Sequence, residues 1–333
     1  MENSQIIAII AQKLKQGLFG REKVMKEFNV SRSTAESFIL AAKELNVLKV
    51  ADVVVKNESI LDIELTFMDF PQCEACDIAP KNLILSYERI LDLSDIHFPY
   101  HELKALLIGL KYGKYKNVDC ILLNGDLIDC YQQSSFQKNP DMRPFQDELN
   151  VCIMFFKHLR QLFPKAAIIH KFGNHEYRHE RYISQNTAVL GVQDFELKNL
   201  LKHSNFGIEY VPSNQLMQVG NYYIAHGHES KSFLRGGINA ARQTAVNAGV
   251  NLIYQHLHRS QHAIVPFYDK IVEVHIGGCL CSLSPSYTGV NNWTNGFIYI
   301  ETHNGICNIE NIILDRDFNV MNNIDAKRVL QGK

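Results

Sequence analysis

Val118-Asp119-Cys120-Ile121-Leu122-Leu123-Asn124-Gly125-Asp126-Leu127-Ile128-Asp129 runs from an apolar stretch straight into two carboxylates three residues apart. The stretch from Val118 to Leu123 reads as a strand, and the carboxylates follow its end. In α/β sheets, side chains just past the carboxyl ends of strands converge on the ligand crevice. The same arrangement recurs on both sides. Asp95-Ile96-His97 follows a strand over Ile90–Leu93, and Gly173-Asn174-His175-Glu176 follows one over Ala166–His170. His226-Gly227 follows Tyr222–Ala225, and Gln255-His256-Leu257-His258 follows Leu252–Tyr254. Helical stretches at 102–114 and 145–162 lie between the first three strands, so the core is α/β.

One Asp-x-His is common by chance, and any single Asp or His here has a plain reading as a hydrogen-bonded structural residue. Five such segments in series supply a full ligand set for two metal ions. Carboxylate and amide oxygens mixed with imidazoles suit Mn, Fe or Zn, and the near absence of thiols among them argues against a structural zinc site.

With 333 residues, two domains are expected. The formal net charge of −1 removes any argument for nucleic-acid binding from bulk basicity, so local charge must carry it. No apolar run is long enough to cross a bilayer, and Met1-Glu2-Asn3-Ser4 lacks the start of a signal peptide, so a soluble cytoplasmic protein is expected. The eight cysteines have no regular spacing. Cys73 and Cys76 form one Cys-x-x-Cys pair in Pro-containing sequence, read as reduced thiols in a connector, with a metal or redox site as the alternative.

Residues 1–68 read as a small winged-helix-like domain. Ile6, Ile7, Ile9, Ile10 and Leu14 make a helical stripe that Gly17 and Gly20 end. A short helix runs from Arg21 to Phe28, Asn29-Val30-Ser31 turns the chain, and a third helix runs from about Arg32 to Leu45. Ser31 is the expected N-cap, and Ser33 with Glu36 has capping-box spacing. Val47 to Phe67, broken at Asn57-Glu58-Ser59, gives two wing strands. Over residues 1–50, eight basic against five acidic side chains leave +3. Arg32, Ser33 and Thr34 stand where a recognition helix meets DNA, with Lys26 and Lys43 on phosphates. The alternative is a helical module for dimerisation or packing. Residues 69–87 are the expected connector, 88–314 the α/β domain and 315–333 a polar tail.

The five segments, in this order, resemble the calcineurin-like metallophosphoesterases, and the resemblance covers about residues 88–313. It implies a β-sandwich of two mixed sheets flanked by helices, and a binuclear hydrolase. Asp95, His97 and His258 would hold one divalent ion, and Asn174, His226 and His256 the other, with Asp126 bridging them. Manganese is the first expectation; Fe, Zn, Ni and Mg are alternatives. His175 would assist the leaving group, Asp129 would orient it, and a metal-bridging hydroxide would attack in line. Two departures stand out. Gln255 replaces the usual Gly of the last motif and threatens to crowd the second ion. Cys130-Tyr131 replaces the Arg-Gly of protein phosphatases, which favours the diesterase and nuclease-like branches. The late segment, with Ala248-Gly249-Val250-Asn251, Gly277-Gly278-Cys279-Leu280-Cys281 and Asn292-Trp293, resembles phosphoesterases of phages and prophages, which would place the protein in a host cytoplasm.

Arg178, His179, Arg181, Lys231 and Arg235 offer substrate contacts to a phosphate, against a solvated rim. His228 has the same two readings. Tyr131, Phe136 and Trp293 offer faces for a base or a sugar, against core packing. The expected function is therefore a phosphodiesterase or nuclease acting on nucleic acid. A phosphomonoesterase and a DNA-binding regulator with a silent phosphoesterase fold are the alternatives, and oligomerisation stays open.

Overall fold

The computed structural model describes residues 2–15, 20–43, 81–135, 137–138, 144–229, 237–285, 290–324 and 326–327. The chain divides into two compact units, Met1–Asp77 and Ile78–Lys333. The expected wing, residues 69–80 of the expected connector with the Cys73/Cys76 pair, Phe136, Lys231 and Arg235 lie outside the described residues. The connector's last part is not a linker, since Leu83–Ile84 pair with Met217–Gln218 and Leu85 enters the core.

The first unit contains α1 (Asn3–Lys15), α2 (Arg21–Phe28) and a helix α3 over 32–43. Ile6, Ile10, Val24, Ala35, Phe38 and Ala42 interlock in its core. Asn29 ends α2 in the left-handed conformation, φ 49°, which Asn tolerates better than most residues. Ser31 caps α3 by accepting from the Thr34 amide at 3.3 Å. The expected Ser33–Glu36 capping box does not form. Ser33 lies inside the helix, and Glu36 accepts from Arg21 at 2.8 Å instead.

Among its described residues the second unit is a sandwich of two six-stranded mixed sheets. Its first sheet is built on β2 (Arg89–Leu93), β3 (Cys120–Asn124), β4 (Ala167–Lys171) and β5 (Ile208–Val211), all parallel, with β11 (Gly296–His303) and β12 (Ile306–Ile313) added antiparallel. Its second sheet runs β1 (Leu83–Ile84), β6 (Met217–Val219), β7 (Tyr222–Ile224), β8 (Leu252–Tyr254), β10 (Ile271–Ile276) and β9 (Gln261–Pro266).

Alternation along the strands sorts the side chains into layers. Ile90, Leu122, Ile169, Ile298 and Ile300 meet Met217, Val219, Ile224 and Ile253 between the sheets. Leu91, Leu93, Ile121, Leu123, Ile168, Phe297 and Tyr299 point outward under α4 (Leu103–Lys116) and α5 (Phe145–Leu162), packing with Leu106, Leu110, Phe156 and Leu159. The outer face of the second sheet is covered by α8 (Ala240–Ala248) through Ala240, Ala241 and Ala245. The helix α6 (Asn174–Gln185) was not expected, because its sequence is too polar to show a helical apolar stripe. The four-residue α7 (Leu197–Leu200) follows it. The segment expected as a polar tail is not all tail: Val320 and Ala326 join the core under α4 and α5.

Candidate metal centre

Five loops at the carboxyl ends of strands meet at one point. After β2 come Asp95 and His97, and after β3 come Asp126 and Asp129. After β4 comes Asn174 with His175, after β7 comes His226, and after β8 come His256 and His258. The backbone is bent sharply to aim them. Asp95, His97, Asp126, His256 and His258 all have φ between 51° and 70°, a conformation that non-glycine residues hold only when their surroundings enforce it. Two glycines clear the space. A Cβ on Gly125 would stand 2.3 Å from His226 Nδ1, and one on Gly173 would stand 2.3 Å from Asp126 Oδ1.

Each of two buried carboxylates is held by one oxygen and offers the other. Asp95 Oδ2 accepts from Ser94 Oγ at 3.0 Å and from the His256 amide at 3.0 Å. Its Oδ1 has no hydrogen-bond partner and lies 3.1 Å from His258 Nε2. Asp126 Oδ1 accepts from the His175 amide at 2.9 Å. Its Oδ2 faces His226 Nε2 at 3.3 Å, His97 Nε2 at 3.8 Å and His175 Nε2 at 3.8 Å. Asn174 Oδ1 lies 3.2 Å from His226 Nε2, and His97 Nε2 lies 3.2 Å from His258 Nε2. Asp126, His226 and His256 each offer an atom within 4.8 Å of one another.

Hydrogen bonds behind the rings fix which nitrogen faces inward. His226 Nδ1 is 2.8 Å from the Asn124 carbonyl, and His97 Nδ1 is 3.1 Å from Asp129 Oδ1. Asp129 Oδ1 is also 3.1 Å from His175 Nδ1, while the Asp129 carbonyl is 2.9 Å from the same nitrogen. Asp129 therefore serves both His175 and His97, a double duty that the sequence did not reveal.

The electrostatics call for positive charge. Burial lowers the His226 and His258 imidazoles, but Asp126 and Asp95 outweigh it and raise them to about 10 and about 9. Burial alone would raise Asp95, yet His258 and His226 hold it near 2, and His226 and His175 hold Asp126 well below the usual range. Burial and the His226 charge push His256 down to about 4. Electron-rich oxygens and nitrogens facing one another at these distances, with Asp95 Oδ1 unpaired, fit a pair of divalent cations.

Gln255 does not crowd the centre. Its side chain turns under the sheet, where Nε2 donates to Asp92 Oδ2 at 3.2 Å. Gly277 makes room for it, since a Cβ there would lie 1.9 Å from Gln255 Oε1.

Three supporting groups escaped the sequence reading. Glu176 accepts from the amides of Gly173, Asp126 and Leu127 at 2.8, 3.0 and 2.7 Å, tying the start of α6 to the Asp126 loop. Glu229 accepts from the amides of His226 and Gly227 and pairs with the buried Lys171 at 2.8 Å. Buried Asp92, raised to about 7 by desolvation, is braced by Gln255 and Asn124. The signal for Glu176 was its place in the Gly-Asn-His-Glu segment. Glu229 and Asp92 gave no local signal.

A cavity of about 470 Å³ opens over the centre, lined by Arg178, Tyr131 and Trp293 besides the ligands. Arg178 lies 2.8 Å from His175 Nε2 and donates to the Asp129 carbonyl at 3.0 Å. Arg181 is not among the lining residues. His179 is no substrate contact: it is buried, hydrogen-bonded to the Phe195 carbonyl at 2.8 Å and stacked on Phe145. His228 is half-buried, with its ring 5.4 Å from that of His226. In the first unit Lys26, Arg32, Ser33 and Lys43 are exposed and Thr34 is partly so. The Ser33 and Thr34 hydroxyls both lie against Ser31 Oγ, and Arg32 pairs with Glu36.

The family described as calcineurin-like phosphoesterase matches residues 88–278. No curated protein matches the chain. Among solved structures, the chain is similar to Vps29 from Chaetomium thermophilum at 14% identity and a TM-score of 0.36, over 70% of this chain and 95% of that one. It is similar to the phosphoesterase Yfce from E. coli at 12% and 0.35, over 70% and 96%. It is similar to a dimetal phosphatase from Danio rerio at 9% and 0.31, over 65% and 93%.

Proposed function

The chain belongs to the calcineurin-like phosphoesterase family and is a metal-dependent phosphoesterase; from that premise we propose that it cleaves phosphodiesters in nucleic acid. The observation that carries the diester reading is the cavity lining. Tyr131 and Trp293, an indole set edge-on to His258 at 4.2 Å, line the mouth over the ligands together with Arg178. Aromatic faces beside a phosphate-binding guanidinium suit the bases or sugars that flank a scissile diester. A monoester needs only the phosphate contacts.

Asp95, His97 and His258 would hold one ion, Asn174, His226 and His256 the other, and Asp126 would serve both. Manganese is the preferred metal. When bound, the ions neutralise charge on the phosphoryl oxygens and acidify a water for in-line attack. His175, held by Asp129, gives a proton to the leaving oxygen. Burial lowers its basicity, but Asp126 and Asp129 outweigh burial and raise it above the ordinary imidazole value. Arg178 binds a non-bridging phosphate oxygen. The N-terminal helices bring nucleic acid to this site through Lys26, Arg32 and Lys43.

The test is turnover of bis-p-nitrophenyl phosphate against p-nitrophenyl phosphate with Mn²⁺, followed by product analysis on labelled single- and double-stranded DNA. The diester and DNA should be cut. Activity on the monoester alone would transfer the assignment to a phosphomonoesterase. Inactivity on all three with metal bound would leave a silent fold.

A further inference from the structure

A second group of metal-ligating side chains stands on the second sheet, apart from the cavity over the centre. His262 on β9 and His275 on β10 are directly opposed in antiparallel register. Glu273 lies two residues before His275 and so projects from the same face. The neighbours of Glu273 and His275 on β10, Val272, Val274 and Ile276, pack on the other face under α8. Glu273 Oε1 is 2.7 Å from His262 Nε2 and 3.1 Å from His275 Nε2. The two rings stack with centroids 4.3 Å apart and planes 20° from parallel.

His275 is only 4% exposed, with Nε2 set 3.1 Å from Glu273 Oε1 and neither ring nitrogen in a well-formed hydrogen bond. A buried imidazole whose nitrogens lack well-formed hydrogen bonds is a donor that a ligand can satisfy. The carboxylate is already fixed for one. The Tyr222 hydroxyl donates to Glu273 Oε2, and the Glu273 amide donates to Asn251 Oδ1 at 2.9 Å. His262, by contrast, is 43% exposed, which leaves the group open to solvent on one side.

We propose that His262, Glu273 and His275 form a third cation site, which takes Zn²⁺. Two imidazoles and one carboxylate are a borderline donor set that zinc favours, and the solvent side leaves a position for water. The three donor atoms lie within 4.8 Å of one another, so side-chain adjustments without backbone movement bring them to one ion. The role is structural. Among the described residues β9 is the edge strand of its sheet and pairs with β10 alone. An ion shared between the two strands pins that edge in register and covers part of an exposed ladder.

The experiment counts metal in the full chain. Metal-stripped wild type, His262→Ala and Glu273→Gln are loaded with Zn²⁺ alone, freed of excess by gel filtration and measured by mass spectrometry. Wild type should carry one more Zn²⁺ per chain than either variant, whatever the total bound at the five-loop centre. The same difference of one should persist in an Asp126→Asn background, which separates this site from that centre. His262→Ala should hydrolyse a chromogenic diester at the wild-type rate, because His262 is not among the cavity's lining. If one variant fails to fold by circular dichroism, the other decides the matter. Equal zinc counts in wild type and in the folded variants overturn the site.

Discussion

The two units of the chain handle charge in opposite ways. In the sandwich, Asp95, Asp126, His97, His226 and His258 are all buried, with exposures from 0 to 7%. In the N-terminal unit the described buried residues are apolar, and the described charges lie outside, where Lys13 meets Glu27 and Arg21 and Arg32 share Glu36. Ion burial costs several kcal/mol per group unless a partner or a cation offsets it. Such a cluster calls for a compensating cation, whereas a solvated charge is compatible with many partners. The sandwich is therefore specified for a reaction and the helices for a shape.

The sharpest way to break this contrast is Asp126→Asn. Removing the charge at the point where three imidazoles converge should lower occupancy of both ions and reduce turnover by roughly 10³-fold or more, since charge stabilisation by a metal is worth several kcal/mol. Two bound ions and near wild-type turnover would sink the ligand assignment. His175→Ala comes next. Both ions should stay bound while the rate drops by roughly two to four orders of magnitude, the range for general acid–base help. The loss should shrink as the leaving group improves, and a uniform loss across a leaving-group series would count against proton donation.

The contrast also explains what could be read from sequence. Apolar runs such as Ile121-Leu122-Leu123, followed by Asp126, announce both a strand and a ligand, because a buried parallel strand is apolar throughout. Strand positions and the five-loop convergence were legible for that reason. The helix α6 was not, because its polar sequence shows no apolar stripe and its one buried charge, Glu176, is engaged mainly by amides of the distant Asp126 loop. Gln255 was misjudged from its identity alone: only the packing against Gly277 reveals that its side chain turns away from the centre. The pairing of Lys171 with Glu229 spans segments with no shared pattern, and such contacts exist only once the fold is formed.

That pair gives a third, smaller effect on stability. Burial would raise Glu229, but Lys171, His226 and His228 hold it at about 2, below its ordinary 4.5. A depressed carboxylate contributes stability that is complete above its unfolded value and is lost as pH falls through its folded value. Glu229→Gln should therefore cost about 3 kcal/mol near neutrality, because it strands the buried Lys171 charge. The gap from wild type should stay level above about pH 5 and narrow as pH falls from 4.5 toward 2. Denaturant unfolding over that range is the check, and a gap that widens on acidification would contradict the ion-pair account.

The smallest effect belongs to the helices, and it tests whether their exposed charges have a use. Replacing Lys26, Arg32 and Lys43 together with Ala removes three solvated cations, of which Arg32 alone has an ion-pair partner among the described residues, Glu36 at 3.4 Å. Exposed pairs contribute at most about 1 kcal/mol, so stability should barely move. Hydrolysis of a small chromogenic diester should be unchanged, since it needs only the five-loop centre. Each phosphate contact contributes roughly 0.9 to the slope of log affinity against log salt, so losing three should flatten that slope by up to about 3. The apparent KM for DNA should rise at low salt and converge with wild type as salt increases. Side-by-side assays on both substrates at two salt concentrations decide it. An unchanged KM for DNA at low salt would mean that these charges do not meet nucleic acid, and the helices would then be read as a dimerisation or packing module.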